Sequence, residues 1–429
     1  MRHLDVHLHD TLVGALERTD QGRLRFSYMP GTPENLEPPL SLSLRVRAEP
    51  YEDGECRGYF SGLLPEGGFL RAVARAFGVS ASNAFSVLDA IGGECAGAVS
   101  LSPAGTGRPP TPGGPRWLDE RELYELLDGS PERVMAAGFD GEGLRLSLAG
   151  AQEKLPVIFG GGRIAITGGE PPSTHILKLP IAGFRDTVPN ESYCLALADA
   201  SGLNVAGAVA RIASPNAFID EAPEDSIPFL QVTRYDRATE APIARIHQED
   251  FCQALGRPPE VKYEAEGGPN VADCAALIGR HSAVPARDRL AFAEALLFNL
   301  VIGNLDAHSK NYSLILEGGD TPRLAPLYDL LSTSIYPGLS RKLAMKFGGE
   351  NRPEYIRPRH LERLATDLGM RAAPLRRRAK DLCERIEVAL PLADERVAGD
   401  FRHGETHEKV RERIGEGIRL LRGAAASAP

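Results

Sequence analysis

The sequence predicts an α+β, two-lobed fold with a cleft between the lobes, preceded by a small α+β module. Three observations carry this. Apolar residues recur at strand spacing through the first half and at helical spacing beyond about residue 248. A Pro/Gly-rich stretch over 103–116 separates an N-terminal part, since its prolines remove donors and its glycines raise backbone entropy. A polar loop around Asp306 lies inside the helical half, where a cleft between unlike layers would place it. A chain of 429 residues exceeds what one hydrophobic core organises, so several domains are expected: 1–102, a linker at 103–116, a strand-rich lobe at 117–255 and a helical lobe at 256–429.

The elements follow in order. Alternation over 40–46 (LSLSLRV) predicts a strand, and residues 67–77 a helix. Two apolar runs, 155–159 and 163–167, flank Gly160, Gly161 and Gly162 and predict a β-hairpin; the strand–turn–strand context favours this over a phosphate-binding loop. Residues 175–179 (HILKL) predict the next strand, and Asn190 is placed to cap a helix that begins at Glu191 and ends near Gly202. Further strands fit 229–233 and 243–246. Helical spacing then dominates 248–255, 271–278, 286–302, 360–368 and 373–390, before a charged C-terminal helix and a small-residue tail from Gly423.

Composition narrows the function class. With 42% hydrophobic and 25% charged residues the chain has a globular, not a disordered, profile. Its net charge of −9 disfavours direct, non-specific nucleic-acid binding; the Arg-rich run over 371–380 reads as the solvated face of a helix. Six scattered cysteines without a CxxC pair fit reduced thiols, and neither a signal peptide nor a membrane span is visible, so a cytoplasmic protein is expected. His3, His7 and His9 share one face of a predicted strand, which an exposed strand face explains better than a zinc site.

The chemistry concentrates in residues 303–311 (GNLDAHSKN) and Asp329. An aspartate five positions before an asparagine, with another aspartate downstream, is the order in which kinase-type phosphoryl-transfer enzymes place their groups. Asp306 would accept the proton of an attacking hydroxyl, while Asn311 and Asp329 supply oxygen ligands suited to magnesium. Lys178 lies within a short apolar strand, either meeting an anion or reaching solvent from an edge; the strand alone does not separate the two. Glu191 would stabilise the dipole of its helix or reach Lys178. Residues 147–154 (SLAGAQEK) suit close approach to phosphates or an ordinary turn, and His308 suits a structural role beside Asp306.

Together these motifs resemble the HipA family, bacterial serine/threonine kinases that act as toxins of toxin–antitoxin pairs. The resemblance runs through SLAGAQEK at 147–154, HILKLP at 175–180, NESYC at 190–194, RYDR at 234–237, QEDFCQ at 248–253, KYE at 262–264 with GGP at 267–269, the 303–311 loop, and Tyr328 with Asp329. The N-terminal module resembles the family's coupling domain in VGALER at 13–18, LLPEG at 63–67 and IGGECAG at 91–97.

The resemblance implies a phosphoinositide-kinase-like fold and use of ATP with Mg2+. It implies that Asp306 is the catalytic base, that Asn311 and Asp329 hold the metal, and that Lys178 contacts ATP phosphates with Glu191 as its ion-pair candidate. Ala151, Gln152, Glu153 and Lys154 would form the phosphate-facing loop, with Thr233, Tyr235, His308, Lys310 and Asn311 completing the nucleotide site. Ser147 matches the family's autophosphorylated serine, whose modification is associated with loss of activity. Thr233 is a departure, because family members can carry glutamate there, and it puts a side-chain contact with adenine in doubt. The implied partners are a protein substrate, for which the family offers an aminoacyl-tRNA synthetase such as glutamyl-tRNA synthetase, and a HipB-like helix-turn-helix antitoxin through which DNA is met indirectly. Small-molecule phosphorylation and a non-catalytic role in a repressor complex are the rival readings.

Overall fold

The computed structural model describes residues 2–106, 114–129, 152–167, 171–214, 225–238, 243–318, 321–397 and 404–426. The N-terminal domain comprises β1 (His3–Leu8), β2 (Thr11–Arg18), β3 (Leu24–Tyr28), β4 (Tyr51–Glu52), α1 (Asp53–Gly62), α2 (Gly67–Ala76), α3 (Ala84–Ile91) and β5 (Val99–Pro103). Its strands form an antiparallel sheet ordered β4-β3-β2-β1-β5. Leu4, Val6 and Leu8 alternate inward on β1 and meet Phe60, Val73 and Leu88 from the three helices, forming one separate core.

Next come β6 (Arg116–Trp117), α4 (Glu120–Leu127), β7 (Lys154–Gly160), β8 (Arg163–Ile166), β9 (His175–Lys178), α5 (Thr187–Ala200), β10 (Ala208–Ala213) and β11 (Ile227–Thr233). Strand order is β10-β11-β9-β7-β8-β6. The predicted hairpin is present as β7–β8, with Gly161 and Gly162 at φ +58° and +79° supplying the left-handed turn that a two-residue connection requires. The helical part holds β12 (Gln248–Asp250), α6 (Phe251–Ala254), α7 (Val271–His281), α8 (Pro285–Ile302), β13 (Ser313–Ile315), β14 (Arg323–Leu324), α9 (Pro358–Asp367), α10 (Ala372–Arg396) and α11 (Glu405–Ala424). One core runs from Val188 on α5 to Ala425, joining α5 to α8, α10 and α11. Helix α5 is buried nearly all round, as a central helix must be.

Several local expectations differ from the structure. Residues 40–46 form no strand. Leu40 and Leu44 are buried, but the intervening serines bond across to the helical lobe: Ser41 Oγ donates to Glu249 Oε2 at 2.6 Å and Ser43 Oγ to the Gln253 carbonyl at 2.7 Å. Side-chain bonding to a distant element has replaced a ladder. Asn190 caps nothing; α5 starts at Thr187, and the Asn190 amide bonds the Ser332 carbonyl and the Tyr336 hydroxyl instead. Residues 243–246 contribute an isolated bridge, Arg237 to Arg245, and the 248–255 stretch opens as strand β12 because Asp250 caps the Gln253 amide and delays the helix to Phe251. His7 is buried in a two-sided sheet position, and His9 lies past the strand, its Nε2 bonded to Glu317 Oε2 at 2.7 Å. All six cysteines are buried thiols. Residues 107–113 of the expected linker lie outside the described residues.

The N-terminal domain packs closely on the rest. Gly58 of α1 faces Gly256 so tightly that a Cβ there would lie 2.5 Å from the Gly256 carbonyl carbon and 2.9 Å from the Arg257 nitrogen. Gly58→Ala is therefore expected to destabilise the protein by roughly 1–3 kcal/mol, because backbone atoms cannot yield as a side-chain tip can. A thermal melt coincident with the parent's would contradict this close approach.

Candidate active site

An open cleft of about 250 Å³ lies where β7, β9 and β11 meet the loop after α8, and Gly62 and Glu66 of the N-terminal domain line it too. The β7–β9 register sets Lys154 opposite Lys178, so two lysines enter the cleft from adjacent strands. Lys178 Nζ bonds both Glu191 Oε1 on α5 and Asp329 Oδ1, and Lys154 Nζ lies 3.9 Å from Asp329 Oδ2. The Lys178–Glu191 alternative is thus the one observed. Glu191 sits in the second turn of α5, where a dipole role weakens.

Burial works against charge at Lys178, yet Asp329 and Glu191 raise its pKa and keep it an ammonium. The same burial opposes ionisation of Asp329, but Lys154 and Lys178 hold its carboxyl well below the usual range. Lys154 is pushed down by burial, with Asp329 opposing. An arriving anion would oppose that shift and favour the ammonium form of Lys154. Asp329 adopts φ +53°, a left-handed conformation that strains a non-glycine residue and aims its carboxylate at both lysines.

The loop opposite is built by α8. That helix ends at Gly303 in a left-handed conformation (φ +72°), where a Cβ would collide with Ser334 and with the Arg413 side chain. Asn304 then braces the turn: its Oδ1 accepts from the Asp306 amide at 3.2 Å, while its Nδ2 donates to Asn299 Oδ1 at 2.9 Å and to the Asp329 carbonyl at 3.1 Å. Asp306 and Asp329 are in this way tied through one side chain. Burial raises the Asp306 pKa, and Tyr263 and Lys262 limit the shift while Asp329 and Glu66 add to it. His308 is buried and its pKa lies far below the usual value for the same reason, which leaves a neutral imidazole.

Asn311 presents an amide that could serve a metal. Its Nδ2 donates to Asp329 Oδ2 at 3.3 Å, whereas its Oδ1 is buried without a hydrogen-bond partner. An orphaned amide oxygen beside a carboxylate is a donor set that suits a hard divalent cation such as Mg2+. Asn311→Ala should raise the Mg2+ concentration for half-maximal turnover at least tenfold, since even outer-shell changes at metal sites cost about 10- to 100-fold. An unchanged Mg2+ titration would remove Asn311 from the donor set.

The remaining predicted site residues fall as follows. Gln152 Nε2 bonds the Leu179 carbonyl at 2.7 Å, fixing the entry to β7, and the Glu153 carbonyl accepts from the Leu179 amide at 3.2 Å. Thr233 closes β11, its amide on the Gly207 carbonyl at 2.7 Å and its Oγ1 3.3 Å from His175 Nε2. Tyr235 forms a wall, stacked on Tyr328 with centroids 5.9 Å apart. Lys310 lines the cleft, but its Nζ is taken by Asp250 Oδ2 at 2.6 Å and by the Gly62 carbonyl at 3.3 Å, so it braces the 303–311 loop against α1. Ser147 and Ala151 lie outside the described residues. Asn304, Tyr263 and Glu66 have no assigned role in the sequence; KYE at 262–264 and LLPEG at 63–67 are visible there as motifs, without a sign of where they would meet.

Comparison with known proteins bears on the family. A family model described as HipA-like C-terminal domain matches residues 146–390, and one described as HipA N-terminal domain matches 4–102. A protein of Sinorhizobium fredii named putative kinase Y4mE is 45% identical over 360 residues, covering 81% of each chain. The serine/threonine-protein kinase toxin HipA of Shewanella oneidensis is 31% identical over 368 residues, covering 80% of each. A solved Shewanella oneidensis complex of HipA, HipB and operator DNA contains a chain that superposes with a TM-score of 0.78 at 25% identity, covering 98% of this chain and 96% of that one. Among the described residues no helix is long and apolar enough to cross a membrane.

Proposed function

The chain belongs to the HipA family of kinases, and on that premise we propose that it transfers the γ-phosphate of ATP, with Mg2+, to a serine or threonine hydroxyl of a protein. The observation that carries this is the convergence on one cleft of the Lys178–Glu191–Asp329 ion cluster with Asp306 and the unpartnered Asn311 Oδ1, both from the 303–311 loop. Lys178, held by Glu191 from behind, faces the phosphates, and Lys154 adds a second cation there. Asn311 and Asp329 would hold Mg2+, which neutralises charge on the phosphate oxygens when bound. Asp306 takes the proton of the acceptor hydroxyl, its raised pKa making it a stronger base than an ordinary aspartate. Tyr235 and the end of β11 at Thr233 border the base-binding part of the cleft, with backbone and ring in place of an acidic side chain. The residues near Ser147 form the candidate regulatory segment.

A HipB-like helix-turn-helix protein is the proposed partner, supported by the HipB present in the Shewanella oneidensis complex, and DNA would be met through it. A net charge of −9 fits that indirect route, and the cytosol is where these partners would be encountered. An aminoacyl-tRNA synthetase is the first substrate to try. Incubating the purified protein with γ-labelled ATP and cell lysate tests the reading. Magnesium-dependent label on phosphoserine or phosphothreonine of another protein is expected; label only in a small-molecule fraction, or none, would contradict it.

A further inference from the structure

Tyr263 stands on the carboxylate that the proposed reaction uses. Its hydroxyl donates to Asp306 Oδ1 at 2.9 Å, and no other side chain of the described residues donates to that carboxylate. Burial, followed by the Asp306 charge, raises the phenol pKa, so the hydroxyl keeps its proton and remains a donor. The ring is fixed edge-on against His308 of the catalytic loop, centroids 5.3 Å apart, and the Lys262 carbonyl accepts from Ser309 Oγ at 3.2 Å on the same loop.

The segment bearing Tyr263 is anchored from the other domain. Lys262 Nζ bonds Glu66 Oε2 at 2.7 Å, and Glu66 is the residue from which α2 of the N-terminal domain starts. Both side chains are largely shielded, at 13% and 15% exposure, which separates this pair from the exposed Arg57–Glu260 contact between the same domains at 3.0 Å. A continuous set of contacts therefore leads from α2 through Glu66, Lys262 and Tyr263 to Asp306.

We propose that Tyr263 is a positioning residue for Asp306 and that the N-terminal domain keeps it in place through the Glu66–Lys262 pair, an inference that rests on Asp306 acting as the base. With Oδ1 bound by the phenol, Oδ2 is presented to the acceptor hydroxyl in one orientation. A rotating carboxylate would spend much of its time misaligned.

Saturation kinetics on the full chain with Mg2+ and ATP test this, using Tyr263→Phe, Glu66→Gln, Asp306→Asn, the Tyr263→Phe/Asp306→Asn double variant and Arg57→Gln. Tyr263→Phe is expected to lower kcat about 10- to 100-fold, the range for a lost hydrogen bond to a charged group, with the KM for ATP unchanged. The acid limb of its kcat profile should move to higher pH, because the lost bond had been holding the Asp306 pKa down. Glu66→Gln should act in the same direction more weakly, Arg57→Gln should match the parent, and Tyr263→Phe should cost nothing more in the Asp306→Asn background. Parental kcat and pH profile in Tyr263→Phe, or an undiminished loss in the Asp306→Asn background, would overturn the positioning role alone. A parent without magnesium-dependent transfer would overturn the reading of Asp306 as base and this inference with it.

Discussion

Asp306→Asn is expected to reduce phosphoryl transfer by a factor of about 10² to 10⁴ while leaving the fold and ATP affinity in place. The substitution keeps side-chain size, so Tyr263 and Asn304 can still contact residue 306, but it removes the acceptor for the hydroxyl proton. Nucleotide binding should survive because the lysines, Glu191 and Asp329 are untouched. The raised Asp306 pKa adds a pH signature. Its ionised form is lost on acidification at a higher pH than for an ordinary aspartate, so parental activity should fall on the acid side earlier than a free carboxylate would dictate. Single-turnover rates across pH check both; a parental rate in Asp306→Asn would require another base.

Glu94→Gln should destabilise the protein by roughly 3–5 kcal/mol, the cost of removing one partner from a buried ion network. Glu94 is fully buried on the N-terminal domain, and its Oε1 meets Arg234 at 3.3 Å, Arg237 at 3.1 Å, Arg245 at 3.6 Å and Ser173 Oγ at 2.7 Å. Asp236 shares Arg234 and Arg237 and accepts from the Gly97 amide at 2.7 Å. Glu94 from the N-terminal domain and Asp236 from the other side thus share three guanidiniums at the domain boundary, directly after Thr233. Loss of the Glu94 charge leaves only Asp236 to offset them, and both the interface and the end of β11 should loosen. Burial alone would raise the Glu94 pKa, but Arg245, Arg237 and Arg234 bring it to about 2 from a usual 4.5. A lowered folded pKa contributes stability above the unfolded value that is lost as pH falls through the folded one. The acid limb of stability should therefore fall between about pH 4.5 and 2 in the parent and be weaker in Glu94→Gln. Urea unfolding across that window measures it, and equal stabilities at pH 7 would contradict the account.

What the sequence made legible is what is local. The 306–311 spacing is dictated by one tight loop, and the Lys178–Glu191 pair spans a strand and the next helix, 13 positions apart. The first can be read outright because one loop fixes it; the second stays open between pairing and a helix-dipole role, since strand and helix signals bring the two residues near each other without aiming their side chains. The Tyr263–Asp306 bond spans 43 positions, Glu66–Lys262 spans 196 and Glu94–Arg234 spans 140, and no periodicity encodes such meetings. Residues 40–46 failed as a strand for a related reason: alternation records which side chains are buried, not whether the backbone pairs, and Ser41 and Ser43 were committed to the helical lobe. Asn190 looked like a cap because its type favours caps, but tertiary packing directed its amide to Ser332 and Tyr336.

The most direct test of the central claim is phosphoproteomics after brief induction of the parent and of Asp306→Asn. The account predicts a serine or threonine site on a protein enriched only with the parent. Identical phosphosite profiles from the two forms, at equal expression, would contradict it.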